Sequence, residues 1–143
     1  MEISLVDREN VCVIRYPNAD ELILDDFHEI APFVRANFKI SEGREASVAV
    51  VTYGRIVTQA IEAGANIILL EKIKPFEQIP LPDNIIFLEE GIKQGGAGMQ
   101  FREKFPGKNI KILAIDDHFA HSEKDKTIYE TCGISTNDII NIM

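Results

Sequence analysis

The chain has 143 residues, 45% of them apolar and 27% charged, a composition that fits one globular domain and excludes intrinsic disorder. Fifteen Lys and Arg against 23 Asp and Glu give a net charge of −8, which repels phosphate backbones and argues against a nucleic-acid partner. No apolar run approaches the roughly 20 residues a bilayer requires, and Met1–Arg8 lacks the basic start and apolar stretch of a signal peptide. No membrane partner is therefore expected. Two cysteines, Cys12 and Cys132, make neither a disulfide framework nor a metal site, so a reducing cytoplasm is the expected compartment.

Val11–Tyr16 reads as a strand stopped by Pro17. From Asn18 to about Asn37 acidic residues are spaced among apolar ones without a period. That predicts a connecting segment, then a short strand at Phe38–Ile40 and a turn at Ser41–Arg44. Ser47–Thr52 is rich in β-branched residues, as expected of a strand buried on both faces. Ile56–Ala63 carries apolar residues at helical spacing and ends at Gly64, and Ile67–Leu70 is a second buried strand. The stretch from Lys74 to Pro82 is punctuated by Pro75, Pro80 and Pro82 and is too short for a full helix.

Ile85–Leu88 is the third strand and runs into Glu89-Glu90-Gly91. A glycine-rich loop, Gly91–Gly98, then opens a helix that ends near Phe105, ahead of Pro106-Gly107. Ile110–Ile115 is the fourth strand. Two short helices follow, at about Glu123–Thr131 and Asn137–Ile142, with Ser135 or Thr136 capping the last. Strands alternating with helices predict an α/β fold, a three-layer αβα sandwich around a mainly parallel sheet. Its functional edge lies at the carboxyl ends of the strands: Thr52-Tyr53-Gly54, Glu71-Lys72, Glu89-Glu90-Gly91 and Asp116-Asp117-His118.

Chemistry at that edge has few carriers. The loop glycines Gly91, Gly95, Gly96 and Gly98 can aim backbone N–H groups at an anion. They match neither the P-loop nor the dinucleotide fingerprint, however, and a tight turn with close packing is the favoured reading. Glu89 and Glu90 are adjacent in a strand and point to opposite faces, so they cannot pair as acid and base, although one can bond the loop's N–H groups. His118 and His121 have helical spacing for a metal, but solvated helix-capping residues are favoured there, with Cys132 the only thiol downstream. Arg15 and Arg55 each offer a fork for a phosphate or carboxylate. No catalytic constellation can be assembled.

Taken in order, Arg15-Tyr16-Pro17, Glu42–Val51, Lys74-Pro75, Leu88-Glu89-Glu90, Gly95-Gly96-Ala97-Gly98, Asp117–His121 and Cys132-Gly133-Ile134 resemble the C-terminal part of the 1-deoxy-D-xylulose 5-phosphate synthases. More distantly they resemble the C-terminal domains of transketolase and of the β chain of pyruvate dehydrogenase. The resemblance runs from about Val11 onward. It implies residues 1–17 as a remnant of a preceding pyrimidine-binding domain, 18–46 as linker and edge strand, and 47–143 as a transketolase-type C-terminal domain.

It further implies a parent enzyme using thiamine diphosphate and magnesium. That enzyme condenses pyruvate with glyceraldehyde 3-phosphate, releasing carbon dioxide, in isoprenoid precursor synthesis, and works as a cytoplasmic homodimer. Its cofactor-holding residues lie in domains preceding this one. The resemblance thus implies no catalytic, cofactor-binding or metal-binding residue here, an isolated domain without activity, and the parent enzyme's other domains as partners. Arg15 would contact substrate phosphate, while Glu89, Glu90, Gly95, Gly96 and Gly98 would form an interface loop. The chain departs from the family pattern at Asn18 and Ala19, at Glu71 where an Arg that meets phosphate is usual, and at Gly91. The alternatives are another transketolase or 2-oxo acid dehydrogenase β-type enzyme, a non-catalytic subunit-pairing module, and a free-standing binder of small anions.

Overall fold

Runs of β-branched and leucine residues form the centre of the sheet, because nothing in them needs water. In the computed structural model, which describes residues 22, 24–38, 48–117, 124 and 126–143, β3 (Ala49–Thr52) and β4 (Ile67–Leu70) are buried at every position. The other strands are β1 (His28–Ala31), β2 (Val34–Ala36), β5 (Asn84–Ile92) and β6 (Asn109–Ile115). The helices are α1 (Val57–Glu62), α2 (Ala97–Lys104), α3 (Ile128–Thr131) and α4 (Thr136–Ile140). Sheet order is β1-β2-β4-β3-β5-β6. β4, β3, β5 and β6 are parallel, and the β1–β2 hairpin adds antiparallel strands at one edge.

Side-chain alternation sends the strands' residues to two cores. Val51, Leu70, Phe87 and Ile112 pack with Phe101 of α2, whereas Val50, Leu69, Ile86 and Leu88 pack with Val57 and Ala60 of α1, with Ile139 of α4, and with Cys132 and Ile134. Phe101 centres the first core, its ring centroid 4.9 Å from Phe87, 5.3 Å from Phe76 and 4.6 Å from Phe105. The sheet is mixed and mainly parallel, with helices on both faces, as expected. The 72–83 crossover carries no helix and covers the α2 face through Phe76, Ile79 and Leu81.

Three local expectations are corrected. Residues 28–36, read as part of an irregular segment, form the β1–β2 hairpin; of the strand expected at Phe38–Ile40 only Phe38 is described, outside β2, and the turn expected at Ser41–Arg44 lies outside the described residues. The turn Pro32-Phe33 holds Phe33 at φ 60°, a left-handed position usually given to glycine, so no glycine or asparagine marked it. β5 continues through Gly91 to Ile92, because after an irregularity Ile92 pairs again with Ile115. The helix expected from about Glu123 begins at Ile128: Thr127 caps it in a capping box with Glu130. Hydrogen bonds from the Thr127 backbone and side chain hold the Glu130 carboxyl below its usual range. Ser135 closes the corresponding box on α4 with Asp138. The expected strand at Val11–Tyr16 lies outside the described residues.

Candidate functional site

Chain order and sheet order part company between β3 and β5: β4 lies on one side of β3, and the chain then crosses over to begin β5 on the other. Open α/β sheets place their ligand crevice at such a switch point, outside the carboxyl ends of the strands. Here the crevice edge holds Tyr53 after β3, Glu89 within β5 and the N-terminus of α2.

α2 begins on Gly96, a residue with no side chain to cap the helix. Its free N–H groups are satisfied from outside. Ala97 N donates to Glu89 Oε2 and Gly98 N to Glu89 Oε1, each at 3.0 Å. The Tyr53 hydroxyl also donates to Oε2, at 3.0 Å. Glu89 is 1% exposed, yet both oxygens are bonded, and its negative charge faces the positive end of the α2 dipole. Deeper in the same seam, the buried Thr52 hydroxyl donates to the Leu88 carbonyl at 2.9 Å.

The glycines serve this carboxylate in two ways. Gly95 has φ +74° with open space around it, so its role is conformational. Gly96 and Gly98 are required by space: a Cβ on Gly96 would lie 2.6 Å from Glu89 Oε1 and from the Ile92 carbonyl, and one on Gly98 would meet Phe87 at 2.9 Å. Tight turning and close packing thus account for the loop. Its anion cradle is occupied by the chain's own carboxylate.

Glu90 faces away, as strand alternation requires. It is exposed and accepts from the Tyr129 hydroxyl of α3 at 2.8 Å. Partial burial first, then the hydrogen bond to Glu90 and its charge, push the Tyr129 phenol up to about 12, against an opposing pull from Arg55. Glu71 forms an ion pair with Arg35 Nε at 2.8 Å. Lys72 pairs with Glu77 at 3.3 Å and lies 5.3 Å from the Phe33 ring centre. Arg15, His118 and His121 lie outside the described residues, while Asp116 and Asp117 are exposed. Among the described residues no group of three or more His, Cys, Asp or Glu is placed to hold a metal ion. An open hollow of about 280 Å³ lies at the other end of the sheet, between Phe27, Asn37, Ile61 and Ala65.

The sequence had raised a bond between one glutamate and the loop; the structure selects Glu89. It did not single out Tyr53 as the third donor, nor Tyr129 at all. Tyr53 had one legible signal, its place at the carboxyl end of a central strand. Tyr129 had none, since its partner Glu90 is 39 residues away.

No protein-family model matches the chain. No curated protein matches it either. Among solved structures it is similar to a split gene transketolase, an inactive beta4 tetramer, with a TM-score of 0.56 and 19% sequence identity. The match covers 73% of this chain and 42% of that one, so the chain spans less than half the length of its structural relative. This likeness concerns the fold: a mixed, mainly parallel sheet of the transketolase C-terminal type. No helix among the described residues is long and apolar enough to cross a membrane.

Proposed function

We propose that this chain is the C-terminal domain of a transketolase-type, thiamine-diphosphate-dependent transferase, and that it positions neighbouring domains or subunits without performing bond chemistry. The observation that carries this reading is the fold match to part of a split gene transketolase. The order of motifs along the sequence supports the same family and, within it, a deoxyxylulose phosphate synthase joining pyruvate to glyceraldehyde 3-phosphate. Glu71, a carboxylate where the synthases often carry an arginine that meets substrate phosphate, favours a different acceptor as the second reading.

At the α2 N-terminus the residues present do not fit the cofactor's diphosphate. The backbone N–H pair that would suit a diphosphate already holds Glu89, whose negative charge repels phosphate. In this proposal thiamine diphosphate and magnesium are held by other domains, Arg15 contacts substrate phosphate in the assembled enzyme, and the assembly is a homodimer.

Two measurements test the reading. Titrated with thiamine diphosphate and Mg²⁺, the 143-residue chain should show no saturable heat. Mixed with a polypeptide carrying the diphosphate- and pyrimidine-binding domains from the same source, it should restore ketol transfer or pyruvate condensation. Turnover by the chain alone would refute the division of labour.

A further inference from the structure

The sheet's two outer strands end it differently. β1 is short, irregular between Glu29 and Ala31, and begins on the exposed His28 and Glu29, features that blunt an edge. β6, at the other edge, runs for seven residues without Pro or Gly, and Lys111 is its one charge. Its inner side is used: Asn109 N donates to the Asp83 carbonyl, and the Ile115 carbonyl accepts from Lys93 N, each at 2.8 Å. Alternation along the strand therefore turns the N–H and C=O groups of Ile110, Ile112 and Ala114 outward, away from β5. Among the described residues no strand pairs with that side. The side chains show the same open flank: Ile110, Ile112 and Ala114 keep 7–8% exposure, against 0–2% for Ile85, Phe87 and Leu88 of β5.

We propose that the β6 edge is an interface for a second copy of this chain, paired antiparallel about a two-fold axis at Ile112 to make one continuous sheet. In that register every outward group meets an outward group: Ile112 pairs with the second copy's Ile112, and Ile110 with its Ala114. Lys111 then lies opposite Leu113. An axis at Lys111 would set that lysine against itself, and one at Leu113 would set Ile110 against Asp116. The Ile112 axis alone places Lys108 opposite Asp116, a complementary charge pair at each end of the joined strands. This self-complementarity selects a second copy over an unrelated strand. The proposal names a surface for the homodimer read above, and to that extent rests on that reading.

Sedimentation equilibrium of the full 143-residue chain at low salt should show a monomer–dimer equilibrium. Lys108→Glu sets like charges opposite at both ends and should weaken the dimer about tenfold. Adding Asp116→Lys to that variant restores the pairs with signs exchanged and should recover the wild-type affinity. Ala114→Pro removes an outward N–H at an edge position, where proline is tolerated, and should leave a folded monomer by circular dichroism. Failure of the charge exchange to recover affinity overturns the register and the proposal with it. A dimer that none of these changes weakens removes this surface while the homodimer reading stands. A monomer at every concentration overturns the proposal, including one whose Ile110, Ile112 and Ala114 amides exchange more slowly only when the other domains' polypeptide is added, which makes a foreign strand the occupant. Transferase reconstitution is read separately, so its failure strikes the thiamine reading and leaves the β6 edge standing.

Discussion

Glu89 and Glu90 are the same residue type, one peptide apart, and the fold gives them opposite roles. Glu89 is buried against the helix α2 N-terminus with three donors on its carboxylate. Glu90 lies in solvent with a single tyrosine partner. Strand alternation separates them, and burial decides what each is worth: a polar group lost from a dry site leaves its partners unsatisfied, whereas in water solvent replaces it.

The widest separation between the two should come from truncation. Glu89→Ala orphans the Ala97 and Gly98 amides and removes the carboxylate acceptor of the Tyr53 hydroxyl, and should destabilise by about 3 kcal/mol in denaturant unfolding. Glu90→Ala should cost no more than about 0.5 kcal/mol. Equal losses would show that the cradle is not the structural anchor of this edge.

Crowding the cradle comes next. In an exposed helix interior, Gly→Ala stabilises by up to ~1 kcal/mol. At Gly98 the sign should reverse, with a loss of about 1–3 kcal/mol, because the new methyl meets Phe87, Glu89 and Ile112 at 2.9–3.0 Å. Gly95→Ala, strained only in its backbone, should lose about 1 kcal/mol and leave Glu89 in place. A larger loss at Gly95 than at Gly98 would break the distinction between conformation and space.

On the Glu90 side, Tyr129→Phe breaks the same exposed hydrogen bond as Glu90→Ala and should likewise cost no more than about 0.5 kcal/mol. The smallest effect is one of pH. The phenol of Tyr129 lies near 12 in the folded state against 10.0 for the unperturbed group, so its stabilisation is intact below pH 10 and declines as pH rises towards 12. Phenolate absorbance should show that late titration. In Glu90→Gln it should move down yet stay above 10.0, since desolvation by burial is the larger cause and survives the substitution.

Much of this architecture was legible along the chain. Ser47–Thr52 and Ile67–Leu70 announce buried parallel strands because continuous runs rich in β-branched and apolar residues suit a sheet covered on both faces. Gly64 (φ +66°) ends α1 because glycine adopts that turn without strain. The β1–β2 hairpin was not legible. Its strands have four and three residues, too few to establish a period, and its turn places Phe33 where sequence rules look for glycine.

By itself, then, the sequence determined the fold class, the parallel core strands, the split of Glu89 from Glu90 and the need for small residues after β5. All of these follow from local periodicity and from backbone sterics. Only the tertiary structure decided which carboxylate fills the α2 N-terminus, that Tyr53 completes its shell from 36 residues away, and that Arg35 reaches Glu71 from the neighbouring strands. Those partners are set by strand order, which pairs β3 with β5 and inserts β4 between β2 and β3. Strand order is fixed by packing the whole sheet, and no local stretch of sequence encodes it.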